Sequence, residues 1–166
     1  MKIFSRLLKH GVTTSSAGKR AFPAETLKVI EATIADGETR HRAEVRLIVE
    51  HSLSLGAVLQ RITSRQRAIE LFSRYRIWDT EENSGVLVYI NLADRKVEII
   101  ADRAVGRLIG KEAWHAVCRT MTRGFAQGEF HDSSVAAMVR LNALLETHFP
   151  ASGTHVNQLS NKPIVL

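Results

Sequence analysis

The stretch GVLVYINLADRKVEIIAD, Gly85 to Asp102, decides the fold of this 166-residue chain. Val86 to Leu92 is apolar except for Asn91, the pattern of a strand covered on both faces. ADRK then turns the chain, and Lys96 to Ala101 reads as a second strand, antiparallel to the first. A two-residue loop at Asp94-Arg95 would set Leu92 against Val97 and Ile90 against Ile99. It would also bring the polar Asn91 and Glu98 together across the pair. Two such strands need covering layers, and the flanking chain must supply them.

Upstream, RAEVRLIVEHS alternates Val45, Leu47 and Val49 with Glu44, Arg46 and Glu50, which predicts a further strand. Before it, AFPAETLKVIEATIADGE predicts a helix. Pro23 suits its first turn, Leu27, Ile30 and Ile34 recur at helical spacing, and Gly37 suits its end. LGAVLQRI predicts a short helix, and TSRQRAIELFSRY a longer one, with Thr63 and Gln66 in capping-box spacing. Downstream, GKEAWHAVCRTMTRGFAQG places Trp114, Val117, Cys118, Met121 and Phe125 on one face. DSSVAAMVRLNALLETHF does the same with Val135, Met138, Leu141, Leu145 and Phe149. The turn-rich ASGTHVNQLSNKPIVL is expected to run along the surface.

This order predicts an α/β fold: a three-layer α/β/α arrangement with a mixed central sheet and helices on both faces. The first two strands, joined through helices, should be parallel. The expected organisation is a flexible basic N-terminal tail, residues 1–21, and a single domain, residues 22–166. Within that domain, residues 150–166 form an extended C-terminal stretch.

The net charge of +6 is concentrated at one end. Lys2, Arg6, Lys9, Lys19 and Arg20 lie in the first twenty residues without an acid, which leaves 18 basic against 17 acidic side chains elsewhere. A near-neutral domain without a reading motif is not expected to bind nucleic acid. Cys118 is the single cysteine, so no internal disulfide forms and a reducing, cytoplasmic setting is expected. Arg6 and Lys9 interrupt any signal-peptide core, and no run reaches the ~20 apolar residues of a membrane span. Ile3, Phe4, Leu7 and Leu8 fall on one side of a helix, with Lys2, Arg6 and Lys9 elsewhere. That pattern suits peripheral contact of residues 1–10 with an anionic membrane, or simply a loose basic terminus.

Asp94 and Asp102 lie at opposite ends of the second strand of the hairpin, about 25 Å apart at the usual rise. The hairpin end also holds Glu50 and His51. The other end gathers Asp102, Glu44 and the acidic loop DTEEN with Glu82. Glu44, Glu82 and Asp102 are the predicted ligands of a divalent cation, Ca²⁺, Mg²⁺ or Mn²⁺. The alternative is structural: a turn aspartate caps the backbone, Glu44 pairs with an arginine, and the loop is solvated. The seven histidines lack zinc-site spacing, and neither GxSxG, a P-loop nor GxGxxG occurs. Cys118 with His115 three residues earlier is either a thiol–imidazole pair or a buried inert thiol.

GVLVYINLADRKVEIIADRAV, the tryptophan that follows, GFAQGEF and ALLETHFP together resemble the TPM domain family. HRAEVRLIVE looks like the family's first strand, and NQLSNKPIVL like the ending of its soluble bacterial branch. The resemblance implies an α/β/α domain. For function it implies a module that binds a divalent cation or protein partners, in some members beside membrane-protein assemblies. The alternative it implies is the metal-assisted acid phosphatase activity attributed to thylakoid-lumen relatives. Arg103 and Arg107 are then the phosphate contacts nearest the predicted cation.

Overall fold

The computed structural model describes residues 3–153 and 156–166. Two helices come first, α1 (Ile3–Val12) and α2 (Ser15–Ala21), then α3 (Ala24–Glu38) and β1 (Glu44–Glu50). After α4 (Leu55–Leu59) and α5 (Ser64–Arg74), the hairpin is β2 (Gly85–Asn91) and β3 (Lys96–Ala101). A short α6 (Arg103–Gly106) leads to α7 (Lys111–Gln127) and α8 (Phe130–His148), and β4 (Ile164–Val165) ends the chain. The sheet order is β3-β2-β1-β4. β1 runs parallel to β2 and to β4, while β2 and β3 are antiparallel, so the sheet is mixed as expected.

Strand alternation sorts the core into two layers. Val45, Leu47 and Val49 of β1 and Val86, Val88 and Ile90 of β2 face one side, where Ile30, Ile34, Met121, Met138 and Leu141 of α3, α7 and α8 cover them. Ile48, Leu87, Tyr89 and Ile100 face the other side, covered by Ala68, Leu71 and Phe72 of α5 and by Ile77. Each fully buried aliphatic side chain contributes about 1.5–3 kcal/mol by leaving water. α5 starts where the sequence placed it: Gln66 N donates to Thr63 Oγ1, and Thr63 N donates to Gln66 Oε1.

Three expectations are corrected. The hairpin pairs Ile90 with Val97, Val88 with Ile99 and Asn91 with Lys96, two residues away from the expected register. Leu92 N and Ala93 N instead donate to Glu50 O and His51 O, which extends the pairing with β1 and lengthens the loop to four residues. Asp94 N donates to Asn91 Oδ1, and Arg95 takes a left-handed conformation (φ 51°) to close that loop. A shift of two keeps every side chain on its expected face, and so the core composition is unchanged.

The C-terminal stretch does not merely run along the surface. Ile164 and Val165 pair with Ile48 and Val49 of β1 and form the fourth strand.

Of the segment expected as a flexible tail, residues 1–2 lie outside the described residues, and the rest forms the helices α1 and α2, with α1 docked on the hairpin loop. Arg6 and His10 of α1 both reach Asp94 in the hairpin loop.

Candidate functional site

The Glu44 end of the sheet gathers its residues by backbone pairing. Glu44 is the register partner of Gly85, and Asp102 N donates to Gly85 O at 2.8 Å. Each carboxylate has local work. Glu44 is fully buried, and its Oε2 accepts from Leu159 N at 2.8 Å. Glu82 is ion-paired with Arg42, whose guanidinium also lies 4.2 Å over the Phe149 ring. Asp102 caps α6, with Oδ1 accepting from Arg103 N at 2.6 Å, while its Oδ2 is buried without a hydrogen-bond partner. Arg103 and Arg107 stand exposed at the two ends of α6. Among the described residues, no three His, Cys, Asp or Glu side chains come together as a ready cation cage.

The carboxylate with the most altered chemistry there is one the sequence did not single out. Glu38 ends α3, and its Oε1 accepts from Val45 N at 2.8 Å. Burial, aided by the charge of Glu44, pushes its carboxyl up to about 7 against the pull of that hydrogen bond. The folded state therefore favours the protonated acid. The stability this contributes is full below the unfolded value of 4.5 and is lost as pH rises through about 7. Glu38→Gln should match the parent at acid pH and exceed it by about 2 kcal/mol above pH ~8, after discounting for partial exposure. Urea denaturation across that range checks this, and a parallel pH dependence in both proteins contradicts it.

At the opposite end the polar groups form a chain of mutual hydrogen bonds. Glu50 accepts two hydrogen bonds from Arg67, at 3.1 and 2.7 Å, and one from Tyr89 Oη at 2.6 Å. Asn91 Nδ2 donates to Tyr89 Oη, and Asn91 Oδ1 links on to Asp94. Asp94 accepts from Arg6 through Nε and Nη2, at 3.1 and 2.7 Å, and from Ser64 Oγ at 3.3 Å. His10 Nε2 lies 3.1 Å from Asp94 Oδ1, while its Nδ1 accepts from Leu53 N at 2.9 Å. Burial pulls the Asp94 carboxyl up, but Arg6 and His10 outweigh it and hold it below the ordinary carboxylate range. Burial beside Glu50 pushes the Tyr89 phenol far up. His51 is occupied with the chain end, its Nδ1 2.6 Å from Leu166 O. Open α/β sheets usually bind ligands at this carboxyl end of parallel strands; here Arg6 of α1 and Ser64 and Arg67 of α5 already occupy its carboxylates.

A third region lies between β3 and α7, where the surface is concave. A cavity of about 860 Å³ is lined by Val97, Ile99, Trp114 and Cys118, with a cationic rim. Burial pushes the Cys118 thiol up to about 11, so it is not a thiolate at neutral pH. His115 points to Glu112, 3.6 Å away, and is exposed. The inert-thiol reading therefore holds. The sequence signal for this groove was a stripe on α7: Lys111, His115 and Arg119 at helical spacing beside Trp114 and Cys118. Cations next to a half-buried tryptophan mark the border of a covered face.

Comparison with solved structures finds the NMR structure of the BA42 protein from the psychrophilic bacterium Bizionia argentinensis. It is 23% identical, with a TM-score of 0.75, and the match covers 86% of this chain and 93% of that one. This likeness carries the fold. A comparison with curated proteins found no match. Residues 18–144 match the TPM domain, a span that takes in α3 through most of α8, so the chain belongs to the TPM domain family.

Proposed function

We propose that the protein is a non-enzymatic binding module that rests on an anionic membrane surface through its α1–α4 face and meets protein partners there. The observation that supports this is an apolar stripe turned outward. With Arg6 and His10 of α1 directed at Asp94, Phe4, Leu8 and Val12 are left 80%, 68% and 65% exposed at a spacing of four. α4 packs beside α1 and adds Leu55 and Leu59, also exposed. Neither residues 1–24 nor residues 51–69 contain an aspartate or glutamate, while Lys9, Lys19, Arg20 and Arg61 are exposed. Apolar side chains flanked by cations are what an interfacial helix offers to anionic lipid. The contact is peripheral: among the described residues no helix is long and apolar enough to cross a membrane.

Sedimentation with vesicles of phosphatidylcholine, with and without phosphatidylglycerol, tests this reading. The full chain should bind only the anionic vesicles at low salt, and Leu8→Glu should weaken binding about tenfold or more, since a charge replaces an apolar side chain that would enter the lipid. Protein left in the supernatant, or a Leu8→Glu variant that binds like the parent, overturns it.

A divalent cation at the Glu44 end is the second reading. The buried, unpartnered Oδ2 of Asp102 and the neighbouring Glu38 and Glu44 favour it. Ca²⁺, Mg²⁺ or Mn²⁺ would have to draw Glu82 from Arg42, so binding should be weak and accompanied by proton release from Glu38. An amide-resolved titration that leaves Glu44, Glu82 and Asp102 unmoved at millimolar ion removes this reading. Phosphoester hydrolysis assisted by Arg103 and Arg107 would require that cation first.

A further inference from the structure

We propose that the free edge of β3, with the groove beside α7, binds an extended acidic segment of a protein partner as an added strand. β3 is an outer strand of the sheet. Asp102 N donates inward to Gly85 O, so by antiparallel alternation the backbone groups of Val97, Ile99 and Ala101 point away from β2. Arg65 Nη1 donates to Ile99 O at 2.6 Å from the outer side, which agrees with that parity. An incoming strand would find donors and acceptors at alternate residues, the requirement for strand addition. Its side chains would enter the cavity over Val97, Ile99 and Trp114.

Charge selects the partner. Arg65, Arg95, Lys96, Lys111 and Arg119 line the groove, and Glu98 is the one carboxylate among its lining residues. The same rim disfavours a second copy of this chain, because a two-fold pairing would set cation against cation. Arg65 sits over the middle of the edge, 3.6 Å from Glu98, and is 55% exposed at its side chain, so it can swing from Ile99 O and Glu98 to a partner carboxylate. Until then it blunts an edge that would otherwise invite aggregation. The groove shares no residue with the apolar α1–α4 stripe, so this inference and the membrane reading fail independently.

The test is an amide-resolved titration of the full chain with a short acetylated, amidated peptide of alternating valine and glutamate. Saturable shifts should appear at Val97, Ile99 and Ala101 and at the Trp114 indole. Lys111→Glu combined with Arg119→Glu should weaken binding about tenfold or more. Both positions are exposed, and an acid in the first turn of α7 suits the helix dipole, so the variant keeps its fold. A lysine version of the peptide and one methylated on alternate backbone nitrogens should not bind. The proposal is overturned by no saturable response at millimolar peptide, by an equal response to the lysine peptide, or by undiminished binding to the double variant. It is equally overturned if the edge amides shift with protein concentration alone, which would mean the edge pairs with itself.

Discussion

Gly85→Ala should unfold the domain or destabilise it by about 4 kcal/mol or more, the exceptional range that a severe steric clash in the core can reach. Gly85 opens β2 between Glu44 of β1 and Asp102, and it is buried. A Cβ there would lie 1.8 Å from the carbonyl oxygen of Ile77 and 2.8 Å from its carbonyl carbon. The obstacle is backbone, so no rotamer change relieves it. Ile77 is itself fully buried, and its N–H is bonded to Phe72 O, which fixes the segment after α5. Relief would have to separate α5 from β2 and open the smaller core layer. Gly56→Ala is the matching control: nothing lies within 4 Å of its would-be Cβ, and an alanine inside an exposed helix should gain up to about 1 kcal/mol. Thermal melts of the two variants compare them directly. A Gly85→Ala melt within a few degrees of the parent would contradict the packing described for β2.

The second large effect concerns Glu50. Removing one partner of a buried ion pair costs about 3–5 kcal/mol, because the other charge is left without its counterpart. Glu50→Ala strands Arg67 and the Tyr89 hydroxyl together. The exposed Glu70, 2.8 Å from Arg67, softens the loss, so the lower end of the range is expected. Glu50→Leu with Arg67→Met should recover much of what either change loses alone, since replacing both charges with apolar groups is often near neutral. Urea denaturation of the four proteins gives the coupling. Independent, additive effects of the two substitutions would show that the pair is not the unit described here.

Much of this fold is written in local pattern. The apolar run Val86 to Ile90, the alternation around Leu47 and the stripe Val117, Met121, Phe125 each report one covered face, and burial follows them. Thr63 and Gln66 mark the start of α5 because a capping box is made within four residues. The hairpin register departs from the local pattern for a non-local reason: Leu92 and Ala93 bond to Glu50 and His51 at the end of β1, and no turn preference at Asp94-Arg95 could show that. β4 was missed because two residues carry no period, and its pairing with β1 spans more than a hundred positions.

The candidate sites divide in the same way. Composition alone determined that residues 1–24 lack acids, and spacing alone put Phe4 and Leu8 on one helix. Only the tertiary structure turned Arg6 inward to Asp94, 88 positions away, and thereby set the apolar stripe facing out. It likewise paired Glu82 with Arg42, buried Glu38 beside Glu44, and set the outer strand β3 beside the cations of α7. A sequence fixes which side chains share a face, because that depends on a period of a few residues. Which face meets which, and which charge finds a partner, depends on packing between distant segments. The energy of those contacts is decided by the burial that packing creates.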